Sequence, residues 1–165
     1  MNISELKYPL VINFNEICSQ SKESVDRDNN PYERYVEGGH LNKEDIFIRS
    51  WGVFGDHYVG PAFHRIFTKG QVLYGSRRTY LKKVALAEFD GITSNTTFVI
   101  NPLTTEKFYG PLLPYLMLSD KFTKYSILKS KGSTNPYINW KDLLDFECSI
   151  VDFSDQKIFY SISCH

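Results

Sequence analysis

Gln71-Val-Leu-Tyr-Gly-Ser-Arg-Arg-Thr-Tyr-Leu-Lys-Lys-Val-Ala-Leu-Ala87 is the stretch on which the fold turns. It opens on a β-rich run, Gln71 to Tyr74, breaks at Gly75-Ser76, and resumes a second β-rich run from Val84 to Phe89. Two such runs around a polar, cation-rich connection predict two strands joined by a basic hairpin. Between Tyr74 and Lys83 stand four cations, two aromatics and two hydroxyls. Gly75 leaves the backbone free to approach a neighbour closely.

On either side the chain keeps this character. Ala62 to Phe67 and Thr96 to Ile100 are further short β-rich runs, set off by Lys69-Gly70, Asp90-Gly91 and Asn101-Pro102. Leu10 to Phe14 alternates and is β-branched, which predicts a strand. Residues 19–34 are polar, with a turn signal at Asn29-Asn30-Pro31, and predict a surface loop. After Pro102 the spacing changes. Leu112, Leu113, Leu116, Phe122, Tyr125 and Leu128 recur at helical steps. Pro111 and Pro114 confine a helix to starting near them. A break is expected near Ser119-Asp120, with Ser119 capping a second helix. Lys129 to Asn139 reads as a loop, Asn139 as the cap of a short helix from Trp140 to Leu144, and Ser154 as the cap of a last helix. The sum is an α+β fold: a mixed, mostly antiparallel twisted sheet with helices in the C-terminal third.

Composition narrows the function classes. A chain of 165 residues fits one domain, and its 42% apolar and 15% aromatic content suits a folded, strand-rich protein. No apolar run is long enough to span a bilayer, and Met1 to Asn15 carries no leader signature. Cys18, Cys148 and Cys164 match neither a disulfide framework nor a zinc spacing, so reduced thiols in a cytoplasmic protein are expected. Formal net charge is zero, yet the charges are segregated. His57 to Ala87 holds six Lys or Arg and no acid; Lys121 to Lys141 holds five Lys and no acid. Such segregation can raise a positive face on a neutral molecule, although two solvated basic surfaces would show the same pattern.

Catalytic signatures are absent. There is no G-x-S-x-G elbow, no P-loop and no G-x-G-x-x-G. His40, His57, His64 and His165 form no metal-ligand spacing. Asn30-Pro31-Tyr32 and Asn135-Pro136-Tyr137 each lack one proline of a base-methylation loop and read as ordinary turns. Recognition chemistry remains. Arg77 and Arg78 can fork onto guanine, while Thr79, Tyr80, Lys82 and Lys83 suit phosphate oxygens. Lys129, Lys131, Ser133, Thr134 and Asn135 make a second set of small polar groups with two lysines. A water-facing basic hairpin and an ordinary loop are the plainer alternatives for these segments.

These segments, in this order, resemble type I restriction-modification specificity subunits. The run from Gln71 to Ala85 is similar to that family's strand–basic hairpin–strand. Phe89-Asp-Gly-Ile-Thr-Ser-Asn-Thr-Thr resembles the D-G-x-x-S segment that follows it. Gly132-Ser-Thr-Asn-Pro-Tyr-Ile-Asn-Trp resembles the loop near the end of a recognition domain, and Tyr35-Val-Glu-Gly-Gly-His-Leu the segment that introduces the sheet. Val151-Asp-Phe-Ser-Asp-Gln-Lys-Ile is similar to the opening of the family's conserved helix, with Asp155 where Glu is usual. The match runs from about Leu10 to Ile158.

The resemblance implies a DNA methylase specificity domain-like fold without a cofactor of its own. It implies a non-catalytic target-recognition domain that reads half of a split double-stranded DNA target. The implied partners are a modification (methyltransferase) subunit, which carries S-adenosylmethionine, and a restriction subunit. Residues 1–165 would form one such domain, with 154–165 the truncated start of the conserved helix. Two other classes compete: a small β-rich carbohydrate- or protein-binding module using its aromatics as platforms, and a small hydrolase. Salt dependence separates them, because phosphate binding weakens steeply with salt and sugar binding barely changes.

Overall fold

The apolar triplets Val72-Leu73-Tyr74, Val84-Ala85-Leu86 and Phe98-Val99-Ile100 lie side by side as neighbouring strands. In the computed structural model, which describes residues 10–163, the elements run in this order. β1 (Leu10–Asn13), α1 (Phe14–Ile17), β2 (Cys18–Ser21), β3 (Arg34–Val36), β4 (Gly52–Val53) and β5 (Phe63–Phe67) come first. β6 (Val72–Gly75), β7 (Val84–Leu86), β8 (Gly91–Ser94) and β9 (Thr97–Pro102) follow. The last part holds α2 (Leu113–Leu118), α3 (Asp120–Lys129), α4 (Trp140–Leu143), β10 (Glu147–Ile150) and α5 (Phe153–Ser163). Residues 1–9, Cys164 and His165 lie outside the described residues, and with them most of the stretch expected to lack a leader.

Strand order decides how the apolar residues are used. One sheet runs β2-β9-β6-β7, all antiparallel; a second runs β4-β3-β8-β5; β1 and β10 pair as a third, two-stranded unit. The only parallel pair among the described strands is β3 with β8. In the first sheet Leu73 stands opposite both Ala85 and Val99, while Tyr74 stands opposite Val84 and Phe98. Successive side chains point to opposite faces. The Leu73–Ala85–Val99 row therefore joins the core shared with Val36, Leu41, Ile48 and Phe67. The Tyr74–Val84–Phe98 row joins a larger core with Phe14, Leu113, Met117, Phe122, Leu143 and Phe146. A sheet buried on both faces explains why these strands read as continuous apolar runs instead of alternating ones. A register slip of one residue would exchange the two rows and bring the smaller Ala85 to the helix side.

The helices close the larger core. Phe122 is fully buried, with ring centroids 5.3 Å from Phe14, 5.9 Å from Tyr74 and 4.9 Å from Phe146. Truncating such an aromatic costs about 3–5 kcal/mol. The expected break falls at Ser119, whose hydroxyl accepts from the Phe122 N–H at 3.2 Å. Pro114 sits in the first turn of α2, where its missing N–H costs no hydrogen bond. The cap of α5 is Asp152 in place of Ser154: its carboxylate accepts from the Asp155 N–H at 3.0 Å. A carboxylate can serve a helix N-terminus as well as a hydroxyl does, and Asp152 stands two residues earlier, directly before Phe153.

Two further expectations shift. The predicted loop over residues 19–34 begins as β2, because Cys18 to Ser21 pairs with β9 through backbone groups that need no apolar pattern. The short last helix is anchored: the buried Gln156 carboxamide accepts from Tyr109 N–H at 2.8 Å and donates to the carbonyls of Lys107 and Val151. Tertiary hydrogen bonds thus supply what a short helix lacks alone.

Candidate nucleic-acid interface

The connection between β6 and β7 contains two residues in a strained backbone conformation. Thr79 to Leu81 form one 3-10 turn, and the residues on either side, Arg78 (φ 49°) and Lys82 (φ 47°), are left-handed. Among the described residues the only other non-glycine with positive φ is Glu44. L-residues hold this conformation at a cost of about 1–3 kcal/mol each, so the surroundings must compensate. They do. The Lys82 N–H donates to Thr79 O at 3.0 Å, the Glu44 N–H donates to Lys82 O at 3.2 Å, and the Gly75 N–H donates to Lys83 O at 3.0 Å.

The second basic segment is fastened directly to the first. The Arg78 N–H donates to Pro136 O at 2.7 Å, and the Ile138 N–H donates to Ser76 O at 3.0 Å. Lys131 and Tyr137 exchange both backbone hydrogen bonds, at 2.8 and 2.9 Å, which folds residues 131–137 into a tight loop around Gly132 (φ 88°). The Thr79 and Ser130 hydroxyls lie 3.4 Å apart beneath the junction. Two stretches separated by strands and helices in the chain thus meet edge to edge.

The eleven residues named from the sequence fall into two groups. Arg77, Arg78, Tyr80, Lys129, Lys131, Ser133, Thr134 and Asn135 are exposed on the joined segments. Thr79 is buried, and Lys82 and Lys83 are half-buried and turned toward protein groups. The Lys82 ammonium meets Asp120 at 2.8 Å and Glu44 at 3.2 Å, and Lys83 donates to Gly38 O. The hydrogen bonds from Asp120 and Glu44 raise the Lys82 pKa above its ordinary value, and the Lys82 hydrogen bond lowers that of Asp120.

Lys131 reaches Asp142 at 3.3 Å. Burial pushes the Asp142 carboxyl up, but hydrogen bonds from Lys131 and Asn139 outweigh it and leave its pKa lowered. By contrast Arg77, Arg78 and Lys129 have no carboxylate partner among the described residues. Lys129 lies over the Tyr125 ring at 5.6 Å, and Arg77 over the Tyr137 ring at 5.6 Å. Uncompensated cations on one surface can attract an anion; cations already paired cannot do so as strongly.

Tyr137 is not among the contact residues expected from the sequence, where it stands within an Asn-Pro-Tyr turn and the Gly132-to-Trp140 segment. The signal available was its aromatic side chain beside a predicted basic segment, and its 39% exposure marks it as a surface aromatic. Among the described residues no group of three or more His, Cys, Asp or Glu could hold a metal ion. No helix among them is long and apolar enough to cross a membrane.

No family profile matches the chain. In sequence it is similar to the type I restriction enzyme EcoDI specificity subunit of Escherichia coli, 36% identical over 85 residues. That match takes in 52% of this chain and 18% of the subunit. In structure it is similar to a chain solved for the complex assembly and conformational transition of the type I R-M system, with a TM-score of 0.77 and 19% identity. That likeness covers 97% of this chain and 43% of the other. The HsdS subunit from Thermoanaerobacter tengcongensis follows at a TM-score of 0.74 and 20% identity, over 93% of this chain and 40% of that one. The type I S subunit from M. genitalium has a TM-score of 0.64 at 14% identity, over 99% and 40%. The chain therefore spans less than half the length of the proteins it matches. The mixed α+β fold expected from the sequence is the fold of these specificity subunits over the matched stretch, and the resemblance to them holds in both sequence and structure.

Proposed function

We propose that this chain, kin in sequence and fold to type I specificity subunits, is a target-recognition domain that binds double-stranded DNA in a sequence-specific way and catalyses no reaction itself. The observation that supports the reading is the junction of the two basic segments, on which Arg77, Arg78 and Lys129 are exposed and have no carboxylate partner among the described residues. Contact falls to Arg77, Arg78, Tyr80, Lys129, Lys131, Ser133, Thr134 and Asn135. Thr79, Lys82 and Lys83 position the connection. Arginine forks match guanine O6 and N7, and small hydroxyls and lysines match phosphate oxygens. A carbohydrate site would place aromatics flat around an uncharged cleft, whereas here the exposed Tyr137 and the half-buried Tyr125 each lie under a cation.

In the proposed assembly the domain reads one half of a split target for a modification subunit, with a restriction subunit beyond it. The chain alone neutralises few phosphates, so its binding is weak and lost at moderate salt. The test is a titration of a duplex pool against the purified chain from low to moderate salt. A steep linear fall of log affinity with log salt supports the reading. Nanomolar binding insensitive to salt, or transfer of label from S-adenosylmethionine to DNA by this chain alone, overturns it.

A further inference from the structure

We infer that Asn95, outside both basic segments, reads an adenine in the target, beside Arg77; the inference rests on the DNA-binding reading above. Asn95 sits where the chain crosses from the second sheet to the first, between β8 and β9. That crossing is secured on both sides. The Asn95 N–H donates to Ala62 O at 3.1 Å. The next carbonyl, Thr96 O, accepts from both the Ser76 N–H at 3.0 Å and the Ser76 hydroxyl at 2.6 Å. Ser94 and Thr96 add a hydroxyl pair at 2.8 Å. Since Ser76 O in turn accepts from Ile138, three loops are laced through one residue.

Asn95 is nonetheless exposed, and its carboxamide has no hydrogen-bond partner among the described residues. It borders an open recess of about 250 Å³ together with Arg77, Tyr137 and Asn139, over a base formed by Phe98 and Trp140, whose rings meet edge to face at 5.7 Å. Asn139 is already engaged by Asp142, which leaves Asn95 and Arg77, the latter held over the Tyr137 ring, as the two planar groups of the recess without a side-chain hydrogen-bond partner among the described residues. A carboxamide presents one donor and one acceptor, the complement of adenine N7 and N6–H. It carries no charge to favour phosphate, and the rigid backbone under it fixes where that pair points. Such preorganisation on a supported loop is what base reading requires.

The experiment selects duplexes from a randomised pool with the full chain at low salt and sequences the bound fraction. The unmodified chain should enrich a short motif containing an A·T pair. Asn95→Ala should lose the preference at that pair by about 5- to 150-fold while keeping the rest of the motif. Asn95→Asp, nearly isosteric, should exchange adenine for cytosine there, because a carboxylate accepts from cytosine N4. A purely structural role would not shift the preference at one base. If the unmodified chain enriches a motif and both variants keep it intact, or weaken every position alike, Asn95 is not a reader and the DNA-binding reading stands. If the unmodified chain enriches nothing and its binding ignores salt, both fall together.

Discussion

The Arg77 guanidinium lies 5.6 Å from the centre of the Tyr137 ring, joining a side chain of the β6–β7 connection to one of the loop after α3. The contact is more than incidental packing, because the two backbones also pair antiparallel at these residues. A guanidinium over an aromatic face keeps its charge and loses freedom of movement, so Tyr137 restrains Arg77.

Replacing Arg77 by Ala should therefore cost about 1–3 kcal/mol on the preferred duplex and relax preference at one base pair. Tyr137→Ala should reproduce part of that loss by freeing the guanidinium, and Tyr137→Phe should restore it. Binding measured on matched and singly substituted duplexes checks this. Equal weakening on every duplex would assign Arg77 to phosphate.

Lys129 and Lys131 should behave differently. Each is exposed, and a single ammonium matches a phosphate better than a base edge. Changing either to Ala should weaken all sequences about equally and reduce the salt slope by roughly one. Lys131 is shared with Asp142, so its effect should be the smaller of the two.

The Lys82–Asp120 pair should show itself in the pH dependence of stability. Asp120 has its pKa lowered by the Lys82 hydrogen bond and charge, so its contribution is present above the ordinary carboxylate pKa. It is lost as pH falls through the lowered folded value. Lys82, raised by Asp120 and Glu44, contributes below the ordinary lysine pKa and loses that contribution as pH rises through its raised value. Asp120→Asn should reduce stability at neutral pH, and the difference should shrink as pH falls below the ordinary carboxylate range. Chemical unfolding at neutral and at acid pH measures it. DNA affinity at low salt should not fall in this variant, since Lys82 is released rather than removed.

Cys18 should resist thiol reagents in the native protein. Burial pushes its pKa up to about 12, and its thiol donates to Phe14 O at 3.3 Å. Cys148, also buried, is raised for the same reason. In a Cys164→Ser background, labelling at pH 8 should be slow and should accelerate with denaturant as the thiolate becomes accessible. Rapid native labelling at Cys18 would show that the larger core opens locally.

How much of this was legible beforehand depends on the range of the interaction involved. The runs at Val72, Val84 and Phe98, the cap at Ser119 and the proline-limited start of α2 follow from local chemistry, namely β-branching, a hydroxyl within reach of its own helix, and a ring without an N–H. So does the separation of cations from acids along the chain, which points to both basic segments without ranking the cations within them. The sequence could not show that Cys18 to Ser21 would be a strand, because that pairing depends on backbone groups of β9 far along the chain. It could not distinguish Arg77 from Lys82, identical in net charge and five positions apart. Only the fold brings Glu44 and Asp120 to Lys82 while setting Arg77 on the ring of Tyr137. Nor could it pick Asn95, whose placement beside Arg77 follows from Ser76 bonding to Thr96 on one side and Ile138 on the other. Local propensity is written residue by residue. Which charges remain unpaired, and which amide is left facing out, are decided only when distant segments close on one another.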